Sequence, residues 1–383
     1  MSTATATSQG STQSAASTTR DPALGRNFPC ESCGAKLEFH IGQQSLKCPF
    51  CGSTKSLEIP EGAAVKEQDL GGTLTKEAER RTAGAPAVTT TEVKCAGCGG
   101  TTMFAGTLTS SECPYCGSPL QRENVHDSPS RIPADGVLPF LVTREQAADS
   151  LKKWVGSRWF APNEFKRRGV AGIFSGIYLP YWTYDSMTAT RWSGQRGVAH
   201  YVETGSGQNK KRERKVEWHP ASGNFQRFFD DILVCACTGV PQKLLLALEP
   251  WPLQRVIPFT PQALSGYLAR TYDVAIDNAL TSAKERMSAA IAEQVRKQIG
   301  GDEQRVTSVH TLHSALTFKH LLLPVWLLTY RYGDKPFQLA VNAATGEVQG
   351  ERPYSAFKII LTILFVAGAI AAAIALAKMG SAA

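Results

Sequence analysis

The sequence predicts an α+β protein with two N-terminal four-cysteine ribbons, a mainly antiparallel α+β domain and one C-terminal transmembrane helix. Three observations support this fold class. Four CxxCG turns form two equally spaced sets, all seven Trp lie after the second set, and the last 25 residues contain a long uncharged apolar run. A length of 383 residues is typical of two or three domains.

The cysteine turns have the spacing of a metal site. Their eight residues are Cys30, Cys33, Cys48, Cys51, Cys95, Cys98, Cys113 and Cys116. Fourteen residues separate the inner cysteines of each set, and every cysteine of the first set recurs 65 positions later. Two such turns close a tetrahedron around Zn²⁺. We therefore expect two zinc ions, one per ribbon.

A glycine follows the second cysteine of every pair, where a positive φ lets backbone N–H groups point at the sulfur. Four thiolates leave no open coordination position, so the sites are expected to be structural rather than catalytic. A thioredoxin-like redox pair is the alternative. It requires a βαβ context, which these short Gly-rich segments do not supply.

The N-terminal part of the chain divides by composition. Residues 1–26 are small and polar and predict a disordered tail. Residues 27–59 form the first ribbon, with an alternating strand over 37–41. Residues 60–92 form a linker with one or two helical turns, and residues 93–125 form the second ribbon.

Residues 131–356 form the α+β domain. Thr143 to Gln146 is a capping box before a helix that presents Ala147, Leu151, Trp154 and Val155. Separate strands are predicted over 178–184, 198–202, 216–218 and 231–238. Thr260-Pro261 predicts the start of a second helix that ends at Gly300. Strands near 323–330 and in a hairpin over 339–348 follow.

The domain shows signs of duplication. The order Pro-Phe, helix, Leu-Pro-x-Trp occurs from Pro139 to Trp182 and again from Pro258 to Trp326. The shared residues are few, and chance reuse of residues that start strands is the alternative.

Residues 357–378 predict the transmembrane helix. Ile359 to Ala377 contains no charged residue, and 19 residues span about 28 Å as a helix, close to the hydrocarbon thickness. We expect a single-pass tail anchor. Arg352 and Lys358 precede the run and Lys378 follows it, which favours a cytoplasmic N-terminal bulk on the inner membrane. A buried C-terminal helix is the alternative.

Charge and cysteine usage narrow the function classes. The N-terminus has no apolar run, so we expect no secretory signal, and metal-type cysteines indicate a reducing cytoplasm. Residues 27–125 carry nine basic and eleven acidic side chains, whereas the chain beyond residue 125 carries 30 and 21. The ribbons therefore lack the positive charge that phosphate binding requires.

Several other groups could carry chemistry, and each also has a structural interpretation. Lys210 to Lys215 is a basic hairpin tip that could meet anionic lipid. Cys235 and Cys237 are expected to be buried thiols, and His310, His313 and His320 structural histidines. Tyr178 to Trp182 suits a core strand, although aromatic side chains can also stack bases. The sequence contains no phosphate-binding loop and no nucleophile with its base.

The twin ribbons, the segments YLPYWTYDSMTATRWSGQRG and LLLPVWLLTYRYGDKPFQLAVNAATGEVQGERP, and the apolar C-terminus resemble a family of bacterial zinc-ribbon membrane proteins. Its members are often labelled primosomal protein N′ (replication factor Y)-like or helicase-like. The resemblance covers nearly all of the chain beyond residue 27 and implies zinc at the eight cysteines. It also implies stomatin/prohibitin-like membrane scaffold proteins as partners. Because a helicase needs a phosphate-binding loop, only the zinc turns are similar to that enzyme.

The sequence therefore predicts a non-enzymatic adaptor on the cytoplasmic membrane whose ribbons bind a protein partner. The alternative is a nucleic-acid-binding protein related to replication restart, without helicase activity of its own, in which Phe28, Phe39, Phe50 and Tyr115 stack bases. A zinc-dependent or redox enzyme is a third hypothesis.

Overall fold

The structure is a computed structural model. It describes residues 28–35, 37–41, 43, 45–57, 64–83, 90–95, 101–103, 111–112, 119–120, 125–128, 131–163, 173–204, 211–332, 335–352 and 354–380. The predicted tail 1–26 lies outside these residues. The described part is α+β with mostly antiparallel sheets, as the sequence predicts.

The strands are β1 Glu38–His40, β2 Ser45–Lys47, β3 Thr54–Ser56, β4 Gln68–Asp69, β5 Thr90–Lys94, β6 Thr101–Met103, β7 Ser111–Glu112, β8 Pro119–Leu120, β9 Val125–Ser128, β10 Gly136–Val137, β11 Ile173–Thr204, β12 Lys211–Cys235, β13 Ile257–Pro258, β14 Leu268–Ala269, β15 Glu303–Tyr332, β16 Lys335–Asn342 and β17 Val348–Gly350. The helices are α1 Leu70–Ala83, α2 Arg144–Gly156, α3 Gln242–Leu246, α4 Ile276–Ile299 and α5 Ala356–Gly380. Two 3₁₀ turns cover Leu253–Arg255 and Pro261–Leu264.

Three long strands form the centre of the domain. In the main sheet β11 lies between β12 and β15 and is antiparallel to both. The strands predicted over 178–184 and 198–202 are parts of the single strand β11, and those over 216–218 and 231–238 fall largely within β12. Cross-strand pairing joins them, because nearly every residue between the predicted stretches has a partner on a neighbouring strand whether or not it is apolar.

Helix α4 covers one face of the long strands. Its buried side chains recur every three or four residues, namely Ile276, Ala279, Ala283, Met287, Ile291, Val295 and Ile299. Gly300, with φ 64°, ends the helix as predicted. The start differs from the prediction, since Thr260-Pro261 opens only a 3₁₀ turn and α4 begins at Ile276. Between them β14 pairs with β11, which keeps this segment extended.

Helix α2 begins as the sequence predicts. The Thr143 Oγ1 accepts from the Gln146 N–H at 3.3 Å, and the Gln146 side chain accepts from the Thr143 N–H at 2.9 Å. Both bonds satisfy first-turn groups that have no partner within the helix. Ala147, Leu151 and Val155 are buried against the sheet, whereas Trp154 is half-buried.

Part of the segment expected to be a linker contacts the main sheet. β4 pairs with β15, and Leu70 at the start of α1 is buried in the same core as α4. The Glu67 carboxylate accepts from Thr317 Oγ1 at 2.9 Å. The polar composition of this segment did not predict these contacts, because Leu70 is the one large apolar side chain of its described residues that is buried.

Two parts of the domain make the same indole hydrogen bonds. Trp326 Nε1 donates to Val142 O at 2.9 Å, and Trp182 Nε1 donates to Val274 O at 3.0 Å. Val142 and Val274 each stand one residue before a helix N-cap. Each Trp therefore holds the segment just before one helix against the sheet.

The backbone repeats this correspondence. The matching bonds are Leu138 N to Leu322 O at 3.0 Å with Arg270 N to Tyr178 O at 2.9 Å, and Ala343 N to Pro324 O at 3.1 Å with Ala236 N to Pro180 O at 2.9 Å. Leu179 and Leu323 pair across β11 and β15. By these bonds Leu138 corresponds to Arg270, so Pro258 is not the counterpart of Pro139 that the sequence order suggested. The strand that contains Pro258 instead pairs with β10, Ile257 lying opposite Val137.

Replacing Trp182 by Phe tests the indole bonds. The ring stays in the core but Val274 O loses its donor, so we expect the free energy of unfolding to fall by about 1–3 kcal/mol. Urea unfolding of the full chain in detergent measures it. Trp218→Phe is the control because Trp218 is half-buried on β12, and it should cost less than about 1 kcal/mol. If both variants lost the same free energy of unfolding, the role of the Trp182 indole bond would be contradicted.

Candidate metal centre

The first two cysteine turns have the same backbone hydrogen bonds. In the first turn, Cys30 N donates to Ala35 O at 2.7 Å and Gly34 N donates to Cys30 O at 2.8 Å. In the second, Cys48 N donates to Ser53 O at 2.8 Å and Gly52 N donates to Cys48 O at 3.1 Å. The two CxxCG sequences therefore fold into matching tight turns.

Both glycines have the positive φ that the sequence predicts, 72° at Gly34 and 75° at Gly52. A Cβ at either position would meet nothing within 4 Å. The requirement for glycine is therefore conformational and not steric, because other L-residues rarely adopt this region.

The four sulfurs of these turns converge. Cys30 Sγ lies 3.5 Å from Cys51 Sγ, and Cys33 Sγ lies 3.5 Å from Cys48 Sγ. All four sulfurs lie within 4.8 Å of one another. A tetrahedron with metal–sulfur bonds of 2.3 Å has edges of about 3.8 Å. The four cysteines therefore fit one tetrahedral metal ion.

Backbone N–H groups surround the sulfurs. Those of Ser32 and Cys33 lower the pKa of Cys30 to about 6, against the opposing effect of burial. The N–H of Ala35 acts in the same direction on Cys33, but the neighbouring sulfurs of Cys48 and Cys51 raise the pKa of Cys33 to about 12. Several thiolates so close together repel one another, and a bound cation would relieve that repulsion.

The ribbon around this group has its own small core and a fixed place on the domain. Leu37, Phe39 and Leu46 are buried with Cys30 and Cys48. Phe39 N donates to Ser265 O at 3.0 Å, and the Ser265 hydroxyl donates back to Leu37 O. One backbone bond and one side-chain bond from Ser265 therefore fix the edge of the ribbon to the α+β domain.

The second cysteine set is described only at Cys95. Its side chain is buried and packs with the core of the α+β domain. Cys98, Cys113 and Cys116 lie outside the described residues, so the expectation of a second zinc ion stays a prediction.

The aromatic candidates for base stacking separate into two groups. Phe39 is buried in the ribbon, and Tyr178, Tyr181 and Trp182 are buried in the domain core, so none of these presents a face to a base. Phe50 between Cys48 and Cys51 is 82% exposed. Phe28 is half-buried against the ribbon, and Tyr115 lies outside the described residues.

The remaining thiols are buried, as predicted. The Cys235 and Cys237 sulfurs are 3.1 Å apart, and burial raises the pKa of Cys235 well above its usual value. The protonated thiol is a poor nucleophile, which fits a packing role.

The histidines of β15 do not converge. His320 is buried and its Nδ1 lies 3.0 Å from Ile132 O, His313 contacts the Ser186 hydroxyl, and His310 is exposed. Within the described ranges, two groups of side chains could hold a metal ion, the four cysteines and the group of Asp185, Asp230 and Asp231, and neither contains a histidine. Burial lowers the pKa of His320 to about 4.

The described part of the basic cluster, residues 211–215, lies at the end of the β11–β12 pair where Thr204 pairs with Lys211. Arg214 forms an exposed ion pair of 2.6 Å with Glu303. Residues 205–210 are outside the described part of the chain.

An ion-pair cluster that the sequence analysis missed lies where the long strands are irregular. Asp185 and Asp231 carry their carboxylates beside Lys319, whose Nζ is 2.8 Å from Asp231 and 3.7 Å from Asp185. The register of β11 shifts here against both neighbours, and Asp231 has φ 50°. Asp185 and Lys319 are far apart in sequence, so only the pairing register brings them together.

Comparisons with known proteins do not identify a family for this chain. No family model matches the chain. A protein of Bacillus subtilis (strain 168), named uncharacterized protein YdjG, is 24% identical over 233 residues, which are 61% of this chain and 67% of that protein. No solved structure matches. The resemblance to primosomal protein N′-like proteins stays a hypothesis.

Replacing Cys48 by Ser tests the metal centre. Loss of one thiolate should reduce bound zinc by one equivalent per chain and unfold the first ribbon, because ribbon folding is coupled to metal binding. Metal analysis of the purified chain together with circular dichroism measures both. Cys235→Ser is the matched control and should retain all zinc. Equal zinc in the Cys48 variant and the wild type would contradict the site.

The buried His320 predicts a pH dependence. Its folded-state pKa of about 4 lies below the ordinary 6.5, so the unfolded chain binds the proton first as pH falls. The free energy of unfolding is therefore highest, as far as His320 is concerned, above pH 6.5, where the imidazole is neutral in both states. It should decline between about pH 6.5 and 4 by up to about 3 kcal/mol. Urea unfolding across this range measures the slope. His320→Gln should flatten it, and an unchanged slope would contradict the argument.

Proposed function

We propose that this chain is a membrane-attached zinc-ribbon protein that works as a non-enzymatic adaptor. The observation that carries the proposal is the attachment of two features to one domain. The four-cysteine ribbon pairs with Ser265, and the apolar helix α5 begins beside the loop after α2, where Ser355 N donates to Phe160 O at 2.8 Å. A bound partner would thereby be held at a membrane.

Zinc is the metal that suits the first site best. Four thiolates favour a soft or borderline ion in tetrahedral geometry, and they leave no position for a reacting water. We extend the same role to Cys95, Cys98, Cys113 and Cys116 on the basis of their identical spacing. The sites would then hold ribbon shape and not perform chemistry.

Helix α5 supports membrane attachment. It is long and apolar enough to cross a bilayer, and none of its window Ala356–Ala373 is buried in the protein. A core helix of a soluble domain would bury one face. We propose that α5 is a tail anchor in the inner membrane with the N-terminal bulk in the cytoplasm, since Arg352 and Lys358 lie on that side.

The partner in this proposal is a protein. The resemblance suggests membrane scaffold proteins of the stomatin/prohibitin type. The acidic balance of residues 27–125 favours a protein surface over a phosphate backbone.

Nucleic-acid binding is the second candidate. The exposed ring of Phe50 favours it, because an aromatic side chain on the outside of a ribbon turn is available to stack a base. A replication-type role would use this face of the ribbon, without helicase activity.

We also infer that the α+β domain contains a duplicated unit. The paired hydrogen bonds of Trp182 and Trp326 support this, as does the pairing of Leu179 with Leu323. In such a pair each unit would supply the Trp that fixes the helix of the other.

Deleting residues 357–383 tests the anchor. We expect the shortened chain to move from the membrane fraction to the soluble fraction, because about 28 Å of apolar helix is lost. Fractionation with and without carbonate measures this, and deletion of residues 1–26 is the control. Retention of the shortened chain on membranes would contradict the anchor.

A titration separates the two candidate functions. The zinc-loaded chain in detergent is titrated with labelled single- and double-stranded DNA and RNA at several salt concentrations. The adaptor proposal predicts no binding at moderate salt. Tight binding with a steep salt slope, weakened at least tenfold by Phe50→Ala, would instead place nucleic-acid recognition first.

A further inference from the structure

Exposed aromatic side chains gather where α5 leaves the domain. Trp159 is 71% exposed, Tyr354 is 62% exposed and Phe357 is 74% exposed. Trp and Tyr are enriched at the interface between water and membrane, where an apolar ring with a polar edge is most stable. In this protein they come from two distant parts of the chain, the loop after α2 and the start of α5.

Lys358 ties these two parts together. Its Nζ donates to Ala161 O and Asn163 Oδ1, each at 2.8 Å, and to Trp159 O at 3.3 Å. Three acceptors satisfy the ammonium, so Lys358 positions the loop and is not the group that would meet a lipid phosphate. Trp159 is thereby held at the level of the first turn of α5.

A groove of about 590 Å³ lies beside this junction. Its lining includes Trp154, Arg158, Phe337, Glu351, Arg352 and Tyr354. The Arg158 guanidinium lies 4.4 Å from the centre of the Trp154 ring, and that of Arg352 lies 5.3 Å from the centre of the Tyr354 ring. A guanidinium stacked on a ring still presents N–H groups at its edge, which suit phosphate oxygens.

Neither arginine of the groove forms an ion pair with a carboxylate of the described residues, unlike Arg214, Arg270 and Arg286. Two arginines against Glu351 give the groove a net charge of +1. An anion in the groove would therefore be attracted by the positive charge and by the N–H donors of both guanidinium groups.

We propose that this groove binds the headgroup of an anionic phospholipid while Trp159, Tyr354 and Phe357 lie in the interfacial layer. The inference rests on the proposed membrane attachment and adds a specific lipid site to it. Arg158 and Arg352 contact the phosphate, and the rings set the depth of the domain at the membrane surface.

The position of Trp159 at the membrane surface is tested with the full chain in nanodiscs that contain lipids brominated near the headgroup. Trp159 should be strongly quenched, so Trp159→Phe should remove much of the quenchable tryptophan emission. Trp218→Phe is the control and should leave quenching unchanged. If resistance to carbonate extraction shows α5 inserted but Trp159→Phe keeps the full quenching, the interfacial position is wrong. If α5 is extracted, the membrane attachment itself fails.

Headgroup binding is tested by lipid analysis of protein purified from nanodiscs of phosphatidylcholine with phosphatidylglycerol. We expect several-fold enrichment of phosphatidylglycerol on the wild type and bulk composition on Arg158→Gln/Arg352→Gln. Arg158→Lys/Arg352→Lys should restore part of the enrichment, which separates charge from folding. Arg212→Gln/Arg214→Gln is the matched control at the distal hairpin and should resemble the wild type.

Competition distinguishes a lipid from free phosphate. Inorganic phosphate in large excess over the protein should leave the enrichment unchanged, because the lipid is held by its chains as well. Loss of enrichment under phosphate would identify a general phosphate site and overturn the lipid assignment. Equal enrichment in the wild type and the double Gln variant would overturn the role of both arginines.

Discussion

The antiparallel pairing of β11 with β15 is the constraint on which the rest of the structure depends. Both strands are buried at Leu179 and Leu323, where they cross the centre of the domain. β10 is added beside β15 and β14 beside β11, and each of these short strands leads toward a helix. A shift of the β11–β15 register would move both indole donors away from the helix starts they fix.

The same ladder explains where charge is buried. The register of the long strands shifts around Asp185, and Lys319 forms ion pairs with the carboxylates of Glu67, Asp185 and Asp231 gathered there. Burial raises the pKa of Asp185, and the charge of Lys319 opposes this effect. The cluster already contains its own cation, Lys319. We therefore interpret it as ion pairing that stabilises the register shift of β11, and not as a metal site.

The ribbon and α5 depend on the domain in different ways. The ribbon has a small core of its own, against which Tyr267 of the domain also packs, and Ser265 bonds the edge of the ribbon to the domain. Helix α5 shows no buried side chain over Ala356–Ala373, and its contacts with the domain are concentrated at Lys358 and Ser355. Among the described residues, the ribbon and α5 are therefore joined through the α+β domain.

The sequence by itself determined the features whose cause is local. These are the CxxCG turns, the positive φ after them, the capping box of α2, the buried face of α4 and the apolar run of α5. Each depends on residues within one continuous stretch of chain. Tertiary structure alone decided the length of β11 and β12 and the start of α4 at Ile276. It also decided the meeting of Lys319 with Asp185, and of Lys358 with the Trp159 loop. These features depend on strand register and on contacts between residues that are not neighbours in sequence, such as Asp185 with Lys319 and Trp159 with Lys358. No local pattern encodes such contacts.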